Sequence, residues 1–380
     1  MDQNKSVITS PVKVLEVIRQ GQIGGGESHL IDLINGFNPT QIEAIVLAFT
    51  PGPMIDTLRQ KGIKCYVVET SHPFDIRVSK AIRNIIRQEQ IQIIHAHGSR
   101  AASNVVLIAR QCHIPLIYTV HGWSFHQDQS PLIYRLRALS EKVICKFSSK
   151  VICVSENNKE TGEKIFGLKN CAVIENGIDL HKFNPDLPFK NIREELGFSQ
   201  EDFIIGFIAR QTLQKAPLDF VKSITIAHQQ NPRIRALMVG DGDMKNEVEE
   251  YIRSEEAENY IRTTSYRQDV PDLLNAIDVF CIPSLWEGLS IALLEAMAMR
   301  KALVVTPTDG TRDLISPEIT GKIAPFSAPE KLADQYIDYF NHPAQIAQFG
   351  NACRQLVEQR FDSQRVSDKV TSIYQTFVQK

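Results

Sequence analysis

No stretch of the 380-residue sequence approaches the ~18 consecutive apolar residues of a membrane-spanning helix, so no such span is expected. The opening residues, MDQNKSVITSPVK, lack the apolar centre of a secretory signal, and the expected compartment is the cytoplasm. Cysteine pairing is missing as well. The seven cysteines are odd in number, scattered, and never spaced as C-x-x-C. Most lie in apolar runs such as the VICV around Cys153, which suits buried reduced thiols better than disulfides or zinc ligands. Nor is either charge in excess. A net of −2 supplies no global field to recruit nucleic acid, and none is expected as a partner.

What is present is an ordinary globular balance, 43% hydrophobic and 23% charged residues, with enough chain for two cores. Short apolar runs alternate with helix-length segments. Val12–Ile18 reads as a strand, after which GQIGGGES turns into the amphipathic HLIDLINGF. Further strand candidates fall at 43–49, 65–68, 91–95, 116–120, 150–154 and 171–174. The alternation breaks near 181–200, at HKFNPDLPFKN, and resumes with strands at 203–209, 236–239, 279–282 and 302–306. Strands separated by helices imply βαβ units and parallel sheets. The expected fold is therefore α/β, with two Rossmann-like doubly wound domains, residues 1–185 and 186–360, facing a central cleft. Such sheets take ligands beyond the carboxyl ends of their strands. The last stretch, FDSQRVSDKVTSIYQTFVQK (361–380), reads as one amphipathic helix with Val366, Val370, Ile373, Tyr374 and Phe377 on one side.

Several motifs sit at predicted strand ends. Gly24, Gly25 and Gly26 follow a strand and precede a helix, where glycines let backbone amides approach an anion, although many glycine turns are only turns. In IARQTLQKAPLDF, Arg210 stands just past a strand and Lys215 five residues on. A forked and a point-like cation can clamp a diphosphate there, or simply line a solvated loop. Asp241 and Asp243 have the D-x-D spacing of metal-binding nucleotide-sugar enzymes, but nothing nearby in sequence supplies further ligands, and a glycine-rich turn needs no metal. Four of the ten histidines, His95, His97, His121 and His126, lie in IIHAHGSRAA and YTVHGWSFH. His95 and His97 point the same way on a strand, so a metal cluster is conceivable, yet histidines at strand ends near a cleft more often hydrogen-bond substrate.

The segment WEGLSIALLEAMA places Glu287 and Glu295 eight positions apart among apolar residues. Ser290 suits an N-cap, and Ile291, Leu293, Leu294, Met297 and Ala298 suit a buried helix. The amides of Gly288, Leu289 and Ser290 then form an anion site. A glycosidase pair fits poorly, since eight positions span ~12 Å even if wholly helical, and glycosidase carboxylates stand only about 5–9.5 Å apart. Two acids flanking a phosphate site suit a ligand with hydroxyls at both ends, a sugar and a ribose. A nucleotide-sugar meets that demand.

The sequence resembles the retaining GT-B glycosyltransferases of the family 4 ("glycosyl transferases group 1") type. GFIARQTLQKA, VGDG, YRQDVPDLLNAIDVFCIPS and the E-x7-E of Glu287 and Glu295 carry the resemblance in the second half. GGGESHLIDL, HAHGSRAA, TVHGWSF, VICVSE and VIENGID carry it in the first. The resemblance implies that Arg210, Lys215 and amides near Gly288 hold the donor diphosphate, with Gly25 and Gly26 also donor-binding. It implies that Glu287 binds donor-sugar hydroxyls, that Glu295 binds the ribose, and that His121 lies beside the reacting sugar. The terminal helix would cross back onto the first domain, and no metal or other cofactor is needed. The chain departs from the family's usual glycine at Ser265, Arg300 and Asp309, and from its usual proline at Ala302, which leaves donor identity open.

The expected activity is transfer, with retention, of a hexose or N-acetylhexosamine from a nucleoside-diphosphate sugar to a glycan or lipid-linked acceptor. UDP is the favoured nucleotide and surface-polysaccharide or glycoconjugate assembly the favoured setting. The alternatives are a nucleotide-sugar epimerase acting on the donor alone and a non-catalytic binding module. The segment 130–150 carries Arg135, Arg137, Lys142, Lys146 and Lys150 among apolar residues at helical spacing. It is either a helix packed on its sheet with a solvated basic edge or one that meets anionic lipid at the inner membrane surface.

Overall fold

A computed structural model describes residues 10–21, 24–125, 129–312 and 314–378, with Asp309 described for its backbone only. His126, grouped above with the other histidines, lies outside the described residues, as do the last two residues of the expected terminal helix. The chain divides into two compact units. One runs through Gly177 and resumes at Ser363; the other is Ile178–Asp362.

The first unit holds a parallel sheet of β1 (Val12–Ile18), β2 (Ile42–Ala48), β3 (Lys64–Val67), β4 (Ile93–His97), β5 (Leu116–Val120), β6 (Lys150–Cys153) and β7 (Cys171–Val173). Their order is β3-β2-β1-β4-β5-β6-β7. The second holds β8 (Phe203–Ile208), β9 (Ile234–Val239), β10 (Ile261–Thr264), β11 (Val279–Ile282), β12 (Ala302–Val305) and β13 (Lys322–Ile323), ordered β10-β9-β8-β11-β12-β13. Successive residues feed opposite cores: Leu15 and Val17 pack on one face of the first sheet, Val14 and Ile18 on the other. Burial on both faces is why these strands read as continuous apolar runs instead of alternating ones. In each sheet the strand order reverses beside the first strand, between β1 and β4 and between β8 and β11. The carboxyl ends at such a switch point are where doubly wound sheets take ligands.

Some details differ from the sequence reading. Strand β4 begins two residues later than expected, so that His97 ends it instead of following it. Strands β10 and β13 were not foreseen: IRTT is largely polar, and β13 is only two residues at a sheet edge. The second unit starts at Ile178, not at 186, because the Ile178 amide donates to the Phe361 carbonyl (2.8 Å) and Phe183 is buried in the second unit's core. The terminal helix, Ser363–Val378, belongs to the first unit. Val366, Val370 and Tyr374 enter that unit's core, with Ile373 and Phe377 packed against it. All seven thiols are free, with Cys153, Cys281 and Cys353 buried.

Two helices carry residues singled out in the sequence. Ile291–Ala298 is capped by Ser290 Oγ, which accepts from the Leu293 amide (3.4 Å), and it buries Ile291, Leu293, Leu294, Met297 and Ala298. Just beyond it, Arg300 has φ +54°, the left-handed region where the family's glycine would sit without strain. Pro131–Phe147 packs into the first unit's core through part of its surface. It buries Ala138, Glu141 and Ile144 and leaves Leu132 (69%), Leu136 (58%) and Leu139 (57%) exposed. Among the described residues no helix is long and apolar enough to cross a membrane.

Candidate functional site

In the second unit, strand β8 runs into the turn that carries Arg210 and Lys215, and neighbouring β11 runs into the turn that carries Glu287. Three stretches are tied together there. The Gln211 amide donates to the Asp241 carbonyl (3.0 Å), and the Leu285 amide donates to the Gln214 carbonyl (2.8 Å). Gln214 Nε2 donates to the Trp286 carbonyl (2.9 Å) and to Glu287 Oε2 (3.4 Å). Lys215 Nζ forms an ion pair with Glu287 Oε1, which also accepts from Ser284 Oγ (3.0 Å). Their side chains are only 14% and 9% exposed, so each charge depends on the other for compensation.

Glycine is demanded beside this pair. The Gly310 amide donates to the Glu287 carbonyl (3.2 Å), and a Cβ at residue 310 would lie 1.6 Å from the Gly288 carbonyl oxygen. A Cβ at residue 242 would lie 2.2 Å from the Gln211 carbonyl oxygen. Gly288, Leu289 and Ser290 lead from Glu287 into the helix, and Glu295 falls in its second turn. Burial and the Glu295 charge together raise the Tyr266 phenol above its ordinary value. Arg210 is exposed just past the end of β8. Asp241 is engaged by Lys245 Nζ (2.6 Å) and by the Tyr266 amide (2.8 Å), bonds that hold its carboxyl below the usual range.

In the first unit, Gly25 and Gly26 open the helix Gly25–Asn35, and a Cβ at residue 26 would lie 3.9 Å from the His121 ring. His121 follows β5, and its Nε2 lies 3.3 Å from His97 Nδ1. His97 Nε2 meets Glu16 Oε2 (2.9 Å) across the β1/β4 switch point. Tyr374 donates to Glu16 Oε1 (2.7 Å), and its oxygen faces His95 Nδ1 (2.6 Å), whose Nε2 meets Thr119 Oγ1 (2.7 Å). The His29 ring stands edge-on to His121 with centroids 4.9 Å apart. Burial, reinforced by the surrounding imidazoles, pushes His29 down to about 3 and His97 down to about 4. For the same reasons His121 falls well below its ordinary value. Burial pushes the Glu16 carboxyl up, but the adjoining His95 ring and the hydrogen bonds from His95 and His97 prevail and hold it well below the carboxylate range.

Two groups bring possible metal-ligand atoms within 4.8 Å of one another among the described residues: His29, His97 and His121, and Glu16, His95 and His97. In the second group every ligating atom already has a hydrogen-bond partner, which a cation would have to displace.

Comparison with known proteins decides the family. Residues 188–356 match the family described as Glycosyl transferases group 1, and residues 23–182 match Glycosyltransferase Family 4. The chain belongs to the GT-B glycosyltransferases of the family 4 type. This glycosyltransferase is 25% identical over 346 residues to the UDP-Gal:alpha-D-GlcNAc-diphosphoundecaprenol alpha-1,3-galactosyltransferase of Escherichia coli, covering 88% of this chain and 89% of that one. It is 25% identical to the phosphatidylinositol N-acetylglucosaminyltransferase gpi3 subunit of Schizosaccharomyces pombe, over 88% of this chain and 75% of the relative. Among solved structures, HepE of Anabaena in complex with UDP-glucose matches the fold with a TM-score of 0.84 at 21% identity, over 96% of this chain and 99% of that one. WaaG, a glycosyltransferase involved in lipopolysaccharide biosynthesis, matches with a TM-score of 0.76 at 14% identity, over 95% and 99%.

Of the residues singled out in the glycosyltransferase sequence, the structure brings Lys215 to Glu287, and His121 to His97 and the Gly26 turn. It adds partners that the motif reading did not single out: Gln214, Ser284 and Gly310 in the second unit, Glu16, His29 and Tyr374 in the first. Glu16 did leave a trace, as the one acid inside the buried strand VKVLEVI. Tyr374 counted only as an apolar residue of its helix.

Proposed function

We propose that the enzyme transfers, with retention, a hexose or N-acetylhexosamine from a UDP-sugar to a glycan or lipid-linked acceptor in surface polysaccharide or glycoconjugate assembly. The observation that carries this reading is the enclosed Lys215–Glu287 pair at the β8/β11 switch point, in the turn that Arg210 opens. Arg210 and Lys215 hold the diphosphate together with the amides of Gly288, Leu289 and Ser290. Glu287 accepts from sugar hydroxyls, Glu295 from the ribose, and His121 lies beside the reacting sugar.

The acceptor hydroxyl attacks the anomeric carbon on the face from which UDP departs. The new C–O bond forms as the bond to the β-phosphate oxygen breaks, and that oxygen takes the hydroxyl proton. Arg210 and Lys215 compensate the charge that develops on the leaving group, with no metal required.

A lipid-linked acceptor is favoured by the exposed face of Pro131–Phe147, where Leu132, Leu136 and Leu139 form a stripe with Arg135, Lys142 and Lys146 along its edge. Apolar side chains flanked by cations suit the anionic inner surface of a membrane. The E. coli relative, whose acceptor is named as diphosphoundecaprenol-linked, points the same way.

The test is incubation with a panel of UDP-sugars, with and without a diphosphoundecaprenol-linked sugar, followed by product analysis. Free UDP with an axially linked product from an axial donor is expected. An epimerised UDP-sugar, formed without acceptor, would replace this reading by the epimerase.

A further inference from the structure

We infer that Glu16 is a positioning residue: acting through His97, it fixes which nitrogen of His121 carries the proton, so that His121 offers a lone pair at Nδ1. The role of His121 beside the sugar rests on the function proposed above; the tautomer itself is a property of the free protein.

The inference follows from donors and acceptors counted along one chain of atoms. Glu16 is fully buried in the middle of β1, and its carboxylate is satisfied by Tyr374, His95 and His97. A carboxylate only accepts hydrogen bonds, so the proton in its 2.9 Å contact with His97 sits on Nε2 of the imidazole. His97 is held neutral by its burial, and a neutral imidazole has one N–H. Its Nδ1 is therefore a bare lone pair. That lone pair faces His121 Nε2 at 3.3 Å, which makes His121 Nε2–H the donor. His121 is neutral as well, and its Nδ1 is left as an acceptor.

The surroundings hold this arrangement in place. His29 stands edge-on to the His121 ring, and the His97 and His121 rings are stacked within 22° of parallel. The titratable groups packed around His97 are Glu16, His29, His95 and His121, with Tyr374 closing the far side of Glu16. Burial and the Glu16 charge keep the Tyr374 phenol neutral and a donor. Glu16 and Tyr374 thus tie the terminal helix to the tautomer of a residue placed beside the substrate. An Nδ1 lone pair accepts from a hydroxyl, so the sugar position that meets His121 must bring a proton.

The test is long-range proton–nitrogen NMR of the full chain labelled at its histidine ring nitrogens, with His121 assigned from the signals lost in His121→Gln. The wild type is expected to show neutral His97 and His121, each protonated at Nε2, near pH 7.5 without substrate. In Glu16→Gln the His121 signals should move toward the Nδ1-protonated or mixed form, with turnover falling at least tenfold and the KM for the donor changing less than threefold. His97→Gln, which leaves Glu16 with Tyr374 and His95, should release the His121 tautomer in the same way and guards against misfolding of Glu16→Gln. An Nδ1-protonated His121 in the wild type overturns the inference whatever the activity. So does a His121 tautomer unchanged in a folded Glu16→Gln or His97→Gln. The predicted tautomer in a protein that transfers no sugar would leave the inference standing and sink the proposed reaction instead.

Discussion

Lys215 and Glu287 compensate one another, and that coupling sets what their substitutions should do. Glu287→Ala should abolish transfer while sparing nucleotide binding, because it releases Lys215 for the diphosphate. Glu295→Ala should instead weaken nucleotide affinity. Turnover of Glu287→Ala within about threefold of wild type, under ~0.7 kcal/mol of barrier, would remove Glu287 from the sugar site. Arg210→Ala and Lys215→Ala should each slow transfer strongly, since charge-assisted hydrogen bonds contribute ~1.5–3 kcal/mol, roughly 10- to 150-fold. EDTA should leave all these activities unchanged. A loss in chelator that magnesium or manganese restores would return Asp241 and Asp243, or the histidine cluster, to the reaction.

At the scale of elements, the helix Pro131–Phe147 has two opposed faces. Ala138, Glu141 and Ile144 turn inward, where Glu141 accepts from Ser99 Oγ (2.5 Å), Tyr118 (2.9 Å) and the Ser124 amide (3.1 Å). That buried acid leaves the exposed side with cations and leucines. Co-sedimentation with vesicles should therefore be strong on anionic lipid at low salt, weaker at physiological salt and weak on neutral lipid, with about 1 kcal/mol per well-placed cation. Arg135→Glu with Lys142→Glu, or Leu132→Ser with Leu136→Ser, should each release the protein. No binding to anionic vesicles, or binding indifferent to both double variants, would leave this face without a membrane role.

At the scale of the whole molecule, burial of uncharged imidazoles links stability to pH. The folded-state values of about 3 for His29 and about 4 for His97 lie below the ordinary 6.5. Below pH ~6.5 the unfolded chain takes up protons that the folded chain refuses, so stability is present above that pH and lost as pH falls toward 4. Each group contributes at most ~1.4 kcal/mol per pH unit across that window. Glu16, also depressed, adds its own loss at still lower pH. Melting scans between about pH 7.5 and pH 5 should show Tm falling, and His29→Gln should flatten the slope. A Tm constant across that range would mean these imidazoles are not buried as neutral groups.

The sequence by itself determined the alternation of strands and helices and the parallel character of both sheets, because strands buried on both faces read as near-continuous apolar runs. It determined the short-range motifs too: Arg210 with Lys215, the capped helix after Ser290, and Glu287 with Glu295, where spacing of a few residues fixes geometry. Tertiary structure alone decided the contacts made across long separations. Tyr374 reaches Glu16 across 358 positions and His97 reaches it across 81, and no local period records that meeting. Nor could helical spacing say that Leu132, Leu136 and Leu139 face outward. The same period results whichever side of a helix is buried, and only the sheet beneath Ala138, Glu141 and Ile144 settled which side that was.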